Sequence, residues 1–235
     1  MAHLNWLEDS LLIEEVEKLL LIAKKAQTES TAHFNKNVID PFAALFEMAG
    51  FEIGFETWKK NEITRQAQKT LQNHVGSFHQ NILGHAQGWE NLNTKQVVDL
   101  KSDSRMIIAE VKNKYNTVSG GKLSDLYASL DDLVSPKASK FKGYTAYYVA
   151  IIPGRPERYD RPFTPPNKGT GNKCPINEYI REIDGASFYA LATGSDTALQ
   201  DLFDALPTVI RECASSDIPI DTGMLQEFFT AAYGA

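Results

Sequence analysis

The chain has 235 residues, 43% hydrophobic and 23% charged, an ordinary globular balance that excludes disordered and collagen-like classes and suits one domain. No apolar run reaches the roughly 18–20 residues a bilayer span needs, and two isolated cysteines, Cys174 and Cys213, make neither a zinc cluster nor a disulfide framework. The net charge of -6 hides an asymmetry: residues 63–177 hold 16 Lys/Arg against 9 Asp/Glu, a net of +7, while both flanks are acidic, so a polyanion can still meet a basic face.

Residues 9–29 have the spacing of an amphipathic helix, with Asp9 or Ser10 as its cap. Asp40-Pro41 opens a second helix that Gly50 closes; its stripe of Phe42, Leu45 and Phe46 reads as core or dimer surface rather than as a base-stacking platform. A third helix is expected from about Thr57 or Glu62 to Leu83, stopped by Gly84, with Gly76 marking a close approach inside it. The pattern then changes to short β-branched runs at 97–100 and 106–111, with a hairpin turn predicted at 101–104. Gly120-Gly121 leads into Leu123, Leu126, Tyr127, Leu130 and Leu133, one face of a helix. Residues 143–152 are β-prone, 153–177 form a long loop rich in Pro, Gly, Arg and Lys, and 187–191 read as another strand. Helices at 196–210 and 222–233 complete an α/β class: a mixed central β-sheet flanked by helices.

On a strand, alternate side chains share a face. Glu110 and Lys112 therefore point one way and Val111 points into the core. Antiparallel pairing with the preceding run brings Asp99 beside Glu110, so two carboxylates and an ammonium converge at one sheet edge. That set suits phosphodiester hydrolysis. A hard divalent cation such as Mg²⁺ takes carboxylate and carbonyl oxygens, here Asp99, Glu110 and the Val111 backbone carbonyl. Lys112 would position or help deprotonate the attacking water and stabilise developing charge. Taken alone, a strand ending Glu-Val-Lys is also compatible with solvated charges.

Val98-Asp99-Leu100 followed by Ile108-Ala109-Glu110-Val111-Lys112-Asn113-Lys114 resembles the PD-(D/E)xK nuclease motif, with Val98 where the usual proline stands. Over most of its length the chain resembles type II restriction endonucleases, in particular the group that cuts at GGNCC sites. The resemblance includes Asn37-Val-Ile-Asp-Pro-Phe42, Gly76-Ser-Phe-His-Gln80, Lys112-Asn-Lys-Tyr-Asn-Thr117 and Asp184-Gly-Ala-Ser-Phe-Tyr189. It implies a restriction-endonuclease-like core and Mg²⁺-dependent cleavage of double-stranded DNA at a short palindrome, with Mn²⁺ able to substitute. It also implies a homodimer in a bacterial or archaeal cytoplasm, with a cognate DNA methyltransferase protecting the host. The alternatives are a repair or recombination nuclease with the same centre, or a DNA-binding protein that does not cleave. No GxxxxGK[ST] motif supports an ATP-driven nuclease.

On this reading residues 1–60 are a helical N-terminal region, 61–152 the catalytic core, 153–177 a basic DNA-contacting loop and 178–235 a C-terminal strand and helices, all in one domain. Arg155, Arg158 and Arg161, with Lys168 and Lys173 beyond, are candidate DNA contacts, since the arginine fork fits guanine O6 and N7. Lys114, Asn116 and Ser119 could hold phosphates, although Asn116 and Ser119 fit a turn and a cap equally well. His79 and Gln80 are candidates, by position, for a helix contribution to the metal site. Neither cysteine has a histidine at a spacing useful for nucleophilic catalysis.

Overall fold

The computed structural model describes residues 2–93, 97–167, 169, 171–214 and 219–234. Helix α1 (Asp9–Ala32) is followed by a short 3-10 turn (Phe34–Lys36), α2 (Pro41–Gly50) and α3 (Phe55–Gly84). Then come β1 (Glu90–Asn91), β2 (Leu100–Ser102), β3 (Ile107–Lys114), α4 (Gly120–Val134) and β4 (Thr145–Ile152). The chain ends with β5 (Asp160–Pro162), β6 (Ile180–Asp184), α5 (Gly185–Thr193), α6 (Ala198–Cys213) and α7 (Thr222–Tyr233). Among the described residues no helix is long and apolar enough to cross a membrane.

Among the described residues, six strands form one mixed sheet in the order β1-β2-β3-β4-β6-β5. The central pairs β3–β4 and β4–β6 are parallel and the outer pairs antiparallel. Parallel strands covered on both faces need apolar side chains on both, and β3 supplies them. Ile107, Ala109 and Val111 enter one core with Leu12, Phe78, Ile82 and Phe188. Ile108 enters the other with Leu130 and Tyr148. The sheet is therefore sandwiched between α1, α3, α5 and α6 on one face and α4 on the other, the expected layered class.

Several expectations are corrected. The hairpin turn lies at residues 103–106, closed by Met106 N–H donating to the Asp103 carbonyl at 3.2 Å. Strand β2 accordingly begins at Leu100, and Asp99 sits in the bend just before it. Residues 187–191 are not a strand but the body of α5. A short apolar run carries no period of its own, and here the flanks decide. Asp184 caps the helix by accepting from Ser187 N–H at 2.9 Å, and Gly194, at φ +80°, closes it. Gly185 is required at its start, because a Cβ there would lie 2.3 Å from the Ile151 carbonyl oxygen. The strand in this region is β6, seven residues earlier. The 153–177 loop contains β5, paired to β6, and a bridge between Pro166 and Lys173.

Asp40 and Pro41 open α2 as expected, the Asp40 carboxylate accepting from Phe42 and Ala43 N–H. Its Phe42, Leu45 and Phe46 are 73%, 59% and 73% exposed, so they are not core of this chain. In α1 the cap position falls on Glu8, without a side-chain bond, while Asp9 accepts from His3 N–H. The tight helix-to-sheet contact is at Gly84, where a Cβ would come within 2.6 Å of the Asn91 Cβ. At Gly76 a Cβ would meet only the Asn113 Cβ, at an ordinary 3.7 Å.

Candidate active site

Strand β2 pairs with β3 only as far as Leu100 opposite Ala109. Beyond that point the Val111 backbone groups on this edge have no strand partner, and side chains take them instead. The Asp99 carboxylate accepts from Val111 N–H at 2.8 Å, while its own N–H donates to the Ala109 carbonyl at 2.9 Å. Gln80, on α3, donates its amide to the Val111 carbonyl at 3.2 Å. The end of a short strand thus fixes Asp99 against β3 and brings a helix amide to the same residue.

Glu110 and Lys112, two residues apart on β3, share a face, and the Lys112 ammonium lies 2.5 Å from the Glu110 carboxylate. Glu110 is 9% exposed. Burial, then repulsion from the neighbouring Asp99 carboxylate, push its pKa up to about 7, against the opposing pull of Lys112. Two carboxylates held together in a partly buried place are in want of positive charge. Among the described residues no cluster of three or more His, Cys, Asp or Glu side chains has metal-binding geometry. The donor set is two carboxylates and a backbone carbonyl, all hard oxygens of the kind Mg²⁺ takes. The residues present therefore fit such an ion.

Of the two helix candidates, Gln80 joins this group and His79 does not. The His79 Nδ1 is 2.8 Å from the Tyr189 hydroxyl, and burial pushes its pKa down to about 4, leaving the ring neutral. Sequence reasoning missed the other lining of the cleft beside Lys112: Gln72, Asn73, Ser77, Asn113 and Thr117. Ser77, Asn113 and Thr117 lie in the 76–80 and 112–117 segments that carry the resemblance, but how those segments face each other depends on tertiary packing.

The expected DNA contacts divide. Arg158 is committed to the protein, donating to the Ser187 hydroxyl at 3.2 Å and the Ala186 carbonyl at 3.1 Å. Arg161 pairs with Glu182 at 2.6 Å and lies over the Tyr159 ring. Arg155 and Lys173 line a cleft of about 600 Å³ with Tyr115, Tyr148 and Tyr159, and the Arg155 guanidinium has no hydrogen-bond or ion-pair partner among the described residues. Lys114, the last residue of β3, and Asn116 just beyond it are exposed. Ser119 occupies the cap position of α4, but its hydroxyl makes no cap bond. Lys168 lies outside the described residues.

A family model described as Eco47II restriction endonuclease matches residues 4–215. The chain is 52% identical, over 241 aligned residues and the full length of both chains, to the type II restriction enzyme Eco47II of Escherichia coli. It is 29% identical, over 89% of its length and 80% of the relative's, to the type II restriction enzyme Sau96I of Staphylococcus aureus.

Proposed function

The chain belongs to the Eco47II restriction endonuclease family, and on that premise we propose that Asp99, Glu110 and Lys112 form its cutting centre. It is a type II restriction endonuclease acting on double-stranded DNA. The target we propose is a short palindromic site of the GGNCC type, cut with Mg²⁺, or Mn²⁺ in its place. A palindrome matches a two-fold homodimer. The genetic partner is a DNA methyltransferase that protects the same site in the prokaryotic cytoplasm where both act.

The observation that carries this reading is the convergence of Glu110, Lys112 and Asp99 at the place where β2 stops pairing with β3. Asp99, Glu110 and the Val111 carbonyl would hold the ion. When bound, Mg²⁺ supplies charge to the scissile phosphate and lowers the pKa of water. The Asp99 bond to Val111 N–H fixes the first carboxylate, and Gln80 orients the Val111 carbonyl. Lys112, 28% exposed, is placed to reach both Glu110 and an incoming phosphate. Its ammonium holds the attacking water and offsets charge that develops on the phosphate oxygens.

Digestion of plasmid DNA with Mg²⁺, beside an EDTA control, followed by sequencing of the ends, tests the proposal. Discrete fragments ending in or beside GGNCC are expected. Random degradation, structure-directed nicking, or cutting that persists in EDTA would overturn it.

A further inference from the structure

We propose that the exposed face of α3 carrying Lys69, Asn73 and Ser77 is a docking track for the sugar–phosphate backbone of one DNA strand, leading away from Lys112. The proposal rests on the nuclease reading above and adds a binding surface to it.

Two polar clefts flank α3. The smaller, about 300 Å³, is floored by Lys112 and Asn113 and walled by Gly76 and Ser77. The larger, about 520 Å³, runs between α3 and the turn at residues 37–40. Asn73 lines both, so the two clefts are neighbours along α3, and the smaller reaches Val111 and Lys112 at the candidate active site. The Asn37 amide fixes that distal turn to α3 by donating to Gln66 at 3.0 Å.

The smaller cleft carries two lysines, Lys112 and Lys114, and no carboxylate, which suits an anion; the larger sets Arg65 and Lys69 against Asp40, Glu47 and Glu62. Its carboxylates are already engaged. Glu62 accepts from Arg65 and Gln66, Glu47 from the Trp58 indole, and Asp40 from the start of α2. The side chains of Lys69, Asn73 and Ser77 are exposed and have no hydrogen-bond or ion-pair partner among the described residues. They offer an ammonium, an amide and a hydroxyl, the donor types that hold phosphates without reading sequence. At the floor, the buried Asn113 Oδ1 also lacks a partner, a deficit that an incoming group or a turned-over amide removes.

The spacing fits as well. Residues four apart recur on one helix face. From Lys69 to Gln80 the helix rises about 16 Å at 1.5 Å per residue, which is about five nucleotides at 3.4 Å each. That is the reach of a strand from the scissile phosphate across a short site into its flank. Gly76 keeps the wall low between Asn73 and Gln80. The segments at 37–42 and 76–80, which the cutting centre alone leaves without a role apart from Gln80, both border these clefts.

The test is equilibrium binding of two 20-base-pair duplexes, with and without GGNCC, over a range of salt, with Ca²⁺ replacing Mg²⁺. Lys69→Ala should weaken both duplexes by a similar factor. It should also flatten the slope of log affinity against log salt by about 0.9, the value for one phosphate contact. Lys60→Ala is the control. It is exposed and lies nine residues away, half a turn round the same helix, facing α1. It should leave the slope unchanged. An unchanged slope for Lys69→Ala, or equal flattening by both variants, overturns the track. The nuclease reading fails separately, if the wild-type protein with Mg²⁺ does not cut DNA.

Discussion

Strands β3 and β6 flank β4, run parallel to it, and each carries a buried carboxylate, Glu110 and Asp184. Their surroundings differ. Asp184 is saturated with donors: Tyr159 N–H at 2.7 Å and Ser187 N–H at 2.9 Å. Glu110 instead faces a second carboxylate, and among the described residues the Lys112 ammonium alone opposes that repulsion. A buried acid surrounded by backbone donors stabilises the fold. A buried acid beside another acid forfeits stability unless a cation joins it, and such a pair marks a functional place. Burial alone does not separate the two; the charge of the neighbours does.

The largest effect should fall on the β3 side. Asp99→Asn and Lys112→Ala should each lower the single-turnover cleavage rate by roughly 10²–10³-fold or more, with thermal midpoint and DNA binding close to wild type. Loss of folding in place of loss of cutting would erase the contrast with Asp184. The reverse is expected at β6. Asp184→Ala removes a helix cap and leaves the Tyr159 N–H without a partner, costing about 2–3 kcal/mol of unfolding free energy in a urea titration. The folded fraction should still cut.

The same contrast sorts the arginines. Arg155→Ala should reduce discrimination between GGNCC and a one-base variant by roughly 1–3 kcal/mol if its guanidinium, unpaired among the described residues, reads guanine. Arg158→Ala should keep discrimination and lose about 1 kcal/mol of stability, because its hydrogen bonds go to α5. Competition binding and urea titration of both variants check this, and a reversed pattern would move base recognition to another element. The smallest effect is at Gly76. A Cβ there meets only the Asn113 Cβ at 3.7 Å, so Gly76→Ala should raise stability by about 0.5–1 kcal/mol through helix propensity.

Much of this was legible from sequence because it is local. Asp40-Pro41, the apolar β-branched run of β3, and the i, i+2 pair of Glu110 and Lys112 each follow from a short stretch of chain. A hairpin bringing Asp99 next to Glu110 was expected from the sequence, but the turn lies two residues later than predicted and strand pairing ends at Leu100, so Asp99 is held by its own bond to Val111 N–H. What was not legible depends on partners distant in sequence. Residues 187–191 are apolar enough for a strand, and only the Asp184 cap and the closeness of Gly185 to β4 make them helical. The basic loop reads as a DNA surface until Glu182 and the start of α5 take up Arg161 and Arg158. His79 and Gln80 are neighbours in sequence, yet one faces Tyr189 and the other the Val111 carbonyl. That difference is set by the rotation of α3 against the sheet.

The most direct test is single-turnover cleavage of a GGNCC duplex by wild-type protein and Glu110→Ala, side by side with Mg²⁺ and with EDTA, with binding of the same duplex measured in parallel. The account predicts cutting by the wild type in Mg²⁺ alone, and a Glu110→Ala protein that binds the duplex but leaves it intact. A Glu110→Ala protein that cuts at nearly the wild-type rate would contradict it.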